Sequence, residues 1–473
     1  METFNNKHNS QEKLEALFLN KVKGLKWYYF QINLNERSSL ASEADSILEQ
    51  RILKNESGEF LYEDKKSLSS PKEEAILSKL LEYTRENPQL PREIIKRIFD
   101  SNEPTVMNNS GAEEGILGKS NRRDNKKRKK AFNKKIRNPK FHAREDSVII
   151  MAEGDSWFQF PAVRPLGDSV KDIIDCLSKR KNYAVYSIAS GGDWLSNIVK
   201  TGEYIEELDR MSADVFMLSG GGNDMLGDYR LAQMVNRPEA RIDMDNPDER
   251  VRELLQVRLG AHTPQSLDVE KYKRGLSFLN DNFYNFLNLT MSQFFLLLSE
   301  LMALPRYKHM KFITHGYDFV IPTYKRRGFL VSRQKAINSF MDTGKWIHDA
   351  LARKRIIDPE DQHAIMYTMI YEFNEMLIQL ASYEKFTNLF HIDCRGTGED
   401  FNDWFDEIHL NSKKFHEVSG AFHECIDDQV INGIAKGKKV YKVRKDLHFS
   451  SQCSEDGVPV ITKSLKHSFK KAS

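Results

Sequence analysis

Three residues of the sequence carry side chains that together can attack an acyl group: Ser156, Asp406 and His409. A serine hydroxyl becomes an effective nucleophile when a neighbouring base takes its proton, and histidine can return that proton near neutral pH. Asp406 precedes His409 by three residues, so its carboxylate can reach the far ring nitrogen. We predict Ser156 as the nucleophile, His409 as the base and Asp406 as its partner. Glu407 and Asp403 are the alternative acids.

The segments that would position these residues alternate between short apolar strands and helices. Five strands are predicted, at residues 147–152, 183–189, 214–219, 311–314 and 388–393. This alternation predicts a parallel sheet with helices on both faces. Sites in such sheets are built at the carboxyl ends of the strands.

Glycines and polar residues follow each predicted strand. The blocks occupy residues 154–157, 190–193, 219–224, 315–318 and 403–409. Because the carboxyl ends of parallel strands share one edge, the five blocks are predicted to meet there. Asp155 and Asp224, inside these blocks, are expected to hold loops together rather than to react.

Four of these blocks, in this order, resemble the SGNH hydrolases, also called GDSL-type esterases and lipases. The matching residues are Gly154-Asp155-Ser156, Gly192, Gly222-Asn223-Asp224 and Asp406-Glu407-Ile408-His409. The resemblance covers about residues 147–426 and implies a flavodoxin-like, three-layer α/β sandwich with a five-stranded parallel sheet. A single Gly-Asp-Ser is weak, because Gly167-Asp168-Ser169 repeats it at a predicted helix start, where Asp and Ser are common caps.

The resemblance also implies an oxyanion hole, a set of donors that stabilise the negative charge developing on the substrate oxygen. Its donors would be the backbone N–H groups of Ser156 and Gly192 and the side-chain amide of Asn223. Gly191 competes with Gly192 for this role.

Aromatic residues and an insertion near the same edge are candidates for substrate recognition. Trp157 and Phe158 are candidates for an apolar acyl-binding wall, and His315 and Tyr317 for the pocket lining. Packing within the protein is the alternative for all four. The helical insertion predicted at residues 226–304 is a candidate lid, although we favour added core.

The remaining chain divides by composition. At 473 residues it is too long for one compact core. Residues 1–100 are predicted to form an α-helical extension, either a small helical domain or a layer that binds a protein partner, and residues 101–146 a polar, then strongly basic linker. The α/β domain spans residues 147–429. Residues 430–473 are a basic tail, expected to be loosely ordered.

Residues 119–144 contain thirteen Lys or Arg and one Asp. Such a run attracts polyanions, so nucleic acid and an anionic membrane surface are candidate partners. A solvated linker or a basic helix face is the interpretation we favour.

The four cysteines are scattered, which argues against a zinc site or a disulfide scaffold and predicts a reducing compartment. The first residues lack the pattern of a secretion signal. The apolar stretch at residues 283–304 contains polar residues that are costly in lipid. We therefore expect a cytoplasmic protein, and no metal or organic cofactor is implied.

These patterns predict a serine hydrolase that cleaves acyl esters through an acyl-serine intermediate. A lipid or other apolar acyl ester is the first choice of substrate, and a sugar or polysaccharide O-acetyl ester is the alternative. A second alternative is a polyanion- or membrane-associating protein, including a phospholipase effector that reaches anionic lipid through its basic segments.

Overall fold

A six-stranded sheet forms the centre of the protein, whose computed structural model describes residues 53–54, 60–61, 113–160, 170–227, 230–260, 263–322, 347–433 and 437–460. Its strands are β3 (Val148–Glu153), β4 (Tyr183–Ser187), β5 (Val215–Leu218), β6 (Lys311–His315), β7 (Leu389–Asp393) and β8 (Val440–Lys442). Two short strands, β1 (Leu53–Lys54) and β2 (Phe60–Leu61), form a separate antiparallel pair.

The order of strands across the sheet is β4-β3-β5-β6-β7-β8, and every neighbouring pair is parallel. When the strands of this sheet are numbered from β3 in chain order, β3 to β7 have the 2-1-3-4-5 arrangement of flavodoxin-like folds. Uncharged runs such as Val-Ile-Ile-Met in β3 form strands here because helices shield a parallel sheet from water on both faces. The order reverses at β3, so the candidate nucleophile follows the strand at the switch point.

The prediction of five strands is wrong by one, because β8 adds a sixth strand beside β7. It lies in the segment expected to be a loosely ordered tail. Val440 and Tyr441 are buried, and Gly457 O accepts the N–H groups of Lys439 and Val440. A strand of three residues next to lysines is too short to show the alternation by which strands are recognised.

Helices flank the sheet on both faces. They are α1 (Glu113–Ile136), α2 (Pro139–His142), α3 (Ile173–Ser178), α4 (Leu195–Thr201), α5 (Glu203–Asp209), α6 (Gly222–Leu226), α7 (Arg230–Gln233), α8 (Glu249–Leu259), α9 (Val269–Leu276), α10 (Asp281–Met302), α11 (His348–Ala352), α12 (Pro359–Ala381) and α13 (Ser412–Ile426). α3 packs against α13, whereas α10 packs against α4 and α12.

The predicted insertion between β5 and β6 is helical and contains α7 to α10. Four phenylalanines of α10 are buried: Phe283, Phe286, Phe294 and Phe295. The ring of Phe286 stacks on Phe373 of α12, with 6.4 Å between ring centroids. These contacts favour the interpretation of α10 as added core.

Within the predicted linker, residues 113–136 form α1. This helix runs along β4, an edge strand of the sheet. Its Phe132 packs on the ring of Tyr186, and Lys135 Nζ donates to the carbonyl oxygens of Arg180 and Tyr183. A covering helix protects an edge strand from pairing with another chain. The division into domains otherwise stays a prediction.

Two predictions fall on residues that the structure does not describe. The helical region at residues 1–100 lies outside the described residues, apart from β1 and β2, and so does the second Gly-Asp-Ser at 167–169. In the described part of the chain, no helix has both the length and the apolar character needed to cross a bilayer.

Candidate active site

The end of β3 presents Ser156 at the carboxyl edge of the sheet. Gly154 allows β3 and β5 to approach closely there, because a Cβ atom at residue 154 would lie 2.5 Å from the Cβ of Ser219. Ser156 follows two residues later and is 4% exposed. The apolar strand, the glycine and the serine therefore place a hydroxyl in a nearly dry position at the strand end.

Asp155 fixes the loop that carries Ser156. Its Oδ1 accepts hydrogen bonds from Ser219 Oγ at 2.7 Å and from the backbone N–H of Trp157 at 3.1 Å. Its Oδ2 accepts a hydrogen bond from the Tyr317 hydroxyl. The carboxylate thus joins the ends of β3, β5 and β6, which is the loop-holding role expected for it.

Ser156, His409 and Asp406 form a hydrogen-bonded line. His409 Nε2 lies 2.7 Å from Ser156 Oγ, and His409 Nδ1 lies 2.7 Å from Asp406 Oδ2. The other carboxylate oxygen of Asp406 accepts the backbone N–H groups of Ile408 and His409, at 2.9 and 2.7 Å. The side chains of His409 and Asp406 are fully buried. An acceptor at Nδ1 leaves Nε2 to take the serine proton.

The two alternative acids have other partners. Glu407 accepts the backbone N–H groups of Ile347 and His348. Asp403 accepts the backbone N–H of Glu399 at 2.9 Å, and its carboxylate lies 3.7 Å from Lys414 Nζ. The structure brings neither carboxylate to His409 in the way that it brings Asp406.

The predicted oxyanion donors lie on the loops that follow β3 and β4 and, for Asn223, in the first turn of α6 after β5. Gly192 has φ of +84°, a left-handed conformation that glycine adopts readily. In the described residues, neither the Ser156 N–H nor the Gly192 N–H has a hydrogen-bond acceptor, and the same holds for Gly191. Asn223 Nδ2 donates to Asp193 O at 2.7 Å, which uses one of the two amide hydrogens. The choice between Gly191 and Gly192 stays open.

The four aromatic candidates for substrate binding are all buried. The Trp157 indole N–H donates to Ile408 O at 3.2 Å, which links the serine loop to the histidine loop. The ring of His315 stacks on Trp157 at 5.4 Å and lies 5.2 Å from Phe158. The Tyr317 hydroxyl contacts Asp155, as described above. These contacts favour packing over pocket lining for all four.

Carboxyl groups surround the glycine loop after β4. Burial, reinforced by the nearby Asp224 and Asp155, raises the pKa of Asp193 to about 7. Burial and the charge of Asp193 raise the pKa of Glu153 well above its usual range. Below about pH 7 the loop therefore carries less negative charge than its sequence suggests.

α1 holds the serine loop through Arg128, which sequence reasoning missed. Arg128 Nη1 donates to Phe158 O at 2.6 Å and to Gln159 Oε1 at 2.5 Å. Nη2 contacts the carboxylates of Asp172 at 2.6 Å and Asp175 at 3.1 Å. The guanidinium thus joins the chain just after Ser156 to the start of α3.

α1 also holds the glycine loop after β4. Asn121 Nδ2 donates to Ser190 Oγ at 2.8 Å and to Gly191 O at 3.2 Å, and Asn125 Nδ2 donates to Ala189 O at 2.9 Å. One helix therefore contacts two of the four segments that carry the candidate site, which follow β3, β4, β5 and β7. The signal for this role was the spacing of Asn121, Asn125 and Arg128, which places them on one helix face.

Comparisons with known proteins add little to this geometry. No family model and no curated protein matches the sequence. One similar solved structure is a "putative GDSL-like lipase" from Parabacteroides merdae, which is 9% identical and covers 49% of this chain and 96% of its own. Its TM-score of 0.20 is too low to support an argument. The candidate site therefore rests on its own contacts.

Proposed function

We propose that the protein is a serine hydrolase that cleaves acyl esters through an acyl-serine intermediate. The observation that supports it most directly is the line of hydrogen bonds from Ser156 Oγ through the His409 ring to Asp406. A nucleophile, a base and an orienting acid in mutual contact are what acyl transfer requires.

In the proposed acylation step, Ser156 Oγ bonds to the acyl carbon while its proton passes to His409 Nε2. The carbonyl electron pair moves onto oxygen, where the N–H groups of Ser156 and Gly192 and the Asn223 amide would donate to it. When this intermediate collapses, His409 gives the proton to the leaving alcohol. Water then attacks the acyl-serine with His409 as base, which releases the acid and restores Ser156.

An apolar acyl ester is the substrate class that we propose. Phe160 packs edge-on against the His409 ring at 5.0 Å, and Phe405 packs on Phe160 at 5.3 Å. Phe405 and Ile408 are half-buried, so apolar side chains beside the base reach the surface. An apolar rim of this kind suits a hydrocarbon chain.

A fluorophosphonate probe tests the nucleophile, because it reacts only with an activated serine. We expect the wild-type protein to be labelled and Ser156→Ala not to be. Ser169→Ala, in the second Gly-Asp-Ser, is the matched control and should be labelled like the wild type. Labelling of Ser156→Ala, or none of the wild type, would show that the proposal is wrong.

A panel of short-chain, long-chain and O-acetyl sugar esters tests the substrate class, with Ser156→Ala as the blank. We expect kcat/KM to rise with acyl chain length. A preference for the O-acetyl sugars would keep the hydrolase proposal and overturn the apolar substrate.

A further inference from the structure

The outward face of α1 is a continuous cationic surface. Six exposed residues of α1 and Arg137, directly after its end, compose this outward cationic face: Arg122, Arg123, Lys126, Lys127, Lys130, Lys134 and Arg137. At about 100° per residue they fall within an arc of about 140°. None of the seven has an ion-pair partner among the described residues.

The opposite face of α1 packs against the α/β domain. Asn121, Asn125, Arg128, Phe132 and Lys135 all contact the α/β domain. In the same projection they centre almost opposite the outward cationic face. The thirteen positive charges of this region therefore divide into a few that fix the helix and a larger set that points away from the protein.

The second basic segment of the chain is used differently. Lys438 pairs with Glu424 at 2.9 Å, and Lys439 Nζ donates to the carbonyl oxygens of Phe386 and Thr387. These lysines fix β8 to the domain. The positive charges of Lys438 and Lys439 are thus explained by internal contacts, whereas the outward cationic face of α1 is not.

Repulsion among the charges of the outward cationic face lowers the stability of α1. Arg122, Lys126, Lys130 and Lys134 follow one another at intervals of four residues, and like charges at that spacing destabilise a helix. A face needed only for solubility would mix both signs of charge. An anionic surface would relieve the repulsion, so the pattern indicates a polyanionic partner.

We propose that the outward cationic face of α1 binds the anionic surface of a lipid bilayer. The choice of a bilayer rests on the proposed function, because an apolar acyl ester is found in lipid; the cationic face itself does not rest on it. The docked face of α1 contacts the loops after β3 and β4. A bilayer bound to the outer face would lie about one helix diameter, some 10 Å, from those loops.

Vesicle sedimentation with the full chain tests this proposal and needs no enzymatic activity, so its result is independent of the proposed function. The vesicles are phosphatidylcholine alone or with about one third phosphatidylglycerol. The test variant changes Lys126, Lys127, Lys130 and Lys134 to Gln. The matched control changes four other exposed lysines to Gln: Lys179, Lys308, Lys385 and Lys413. Both variants lower the formal net charge from +3 to −1.

We expect the wild type to bind only the anionic vesicles, and less at 0.5 M salt. Each cation near the headgroups contributes about fivefold to binding, so removal of four should weaken binding by up to about 600-fold in the test variant and by much less in the control variant. Circular dichroism and thermal unfolding check that both variants fold.

Three outcomes would overturn the proposal. The first is equal binding to neutral and anionic vesicles, or none at low salt. The second is an equal loss in both variants, which would assign the effect to net charge. The third is binding of a 30-base-pair DNA duplex that is tighter than binding to anionic vesicles and depends on the same four lysines, which would make the partner nucleic acid.

Discussion

Replacing Arg128 by methionine tests whether α1 stabilises the candidate active site. Methionine keeps an extended side chain but removes the cation that contacts Phe158 O, Asp172 and Asp175. The Asp172 carboxylate is 1% exposed and would lose its counter-charge. Removing one partner of a buried pair costs about 3–5 kcal/mol. We expect the lower value, about 3 kcal/mol, because Asp172 still accepts the backbone N–H groups of Phe160 and Asp175.

The cost should depend on pH. Burial raises the pKa of Asp172 to about 6 even with Arg128 beside it. A carboxyl with a raised pKa stabilises the fold below its unfolded pKa and loses that contribution as pH rises through the folded pKa. Without Arg128 the charged form is disfavoured further, so the destabilisation should be larger at pH 8 than at pH 5. Urea unfolding followed by tryptophan fluorescence at the two pH values measures this.

Catalysis should also fall, because Arg128 holds the chain two residues beyond Ser156. A displacement of about 1 Å at a reacting group costs about 10²-fold in kcat. Adding Asp172→Asn to Arg128→Met should restore part of the stability, since the unpaired charge is gone. An Arg128→Met protein that loses less than about 1 kcal/mol at pH 8 and keeps its kcat would refute this reasoning.

Three further predictions concern the candidate site. Asp406→Asn should lower kcat for a soluble ester by about 10⁴-fold, because an amide does not hold His409 in the required tautomer; Asp403→Asn is the control, and an equal loss there would contradict the assignment. Asn223→Ala should lower kcat by about 10²–10³-fold with KM little changed, and a change in KM alone would assign the amide to substrate binding. Asp193→Asn should flatten the pH dependence of the free energy of unfolding. In the wild type the raised pKa of Asp193 makes this free energy fall as pH rises from about 4 through 7, by about 1.4 kcal/mol for each unit by which the pKa is raised. Identical pH profiles for the two proteins would contradict this.

Ser156, Asp406 and His409 could be picked out of the sequence as candidates because each carries a local signal, and the structure places the three in hydrogen-bond contact. Ser156 follows an uncharged run and a glycine, and Asp406 precedes His409 by three residues, a distance within one turn of chain. The surroundings of Trp157 carry no such signal. Its indole N–H meets Ile408 O, about 250 residues later in the chain, and its ring meets His315. From the sequence alone, Trp157 is therefore a candidate for substrate binding, and only the three-dimensional positions of Ile408 and His315 show that it packs inside the protein.

The docking of α1 carries a polar spacing signal but almost no apolar one, for a different physical reason. Of the five side chains of α1 described above as contacting the α/β domain, Phe132 alone is apolar, so hydrophobic periodicity gives little helix-to-core signal. Polar contacts take the place of apolar burial here: Lys135 donates to Tyr183 O at the start of the edge strand β4, and Asn125 donates to Ala189 O just after its end. Edge strands are the ones with unpaired backbone groups to offer. A basic helix can dock in this way only where such an edge exists. All five residues of β4 are buried, as in a central strand, so the sequence does not show that β4 lies at the edge of the sheet.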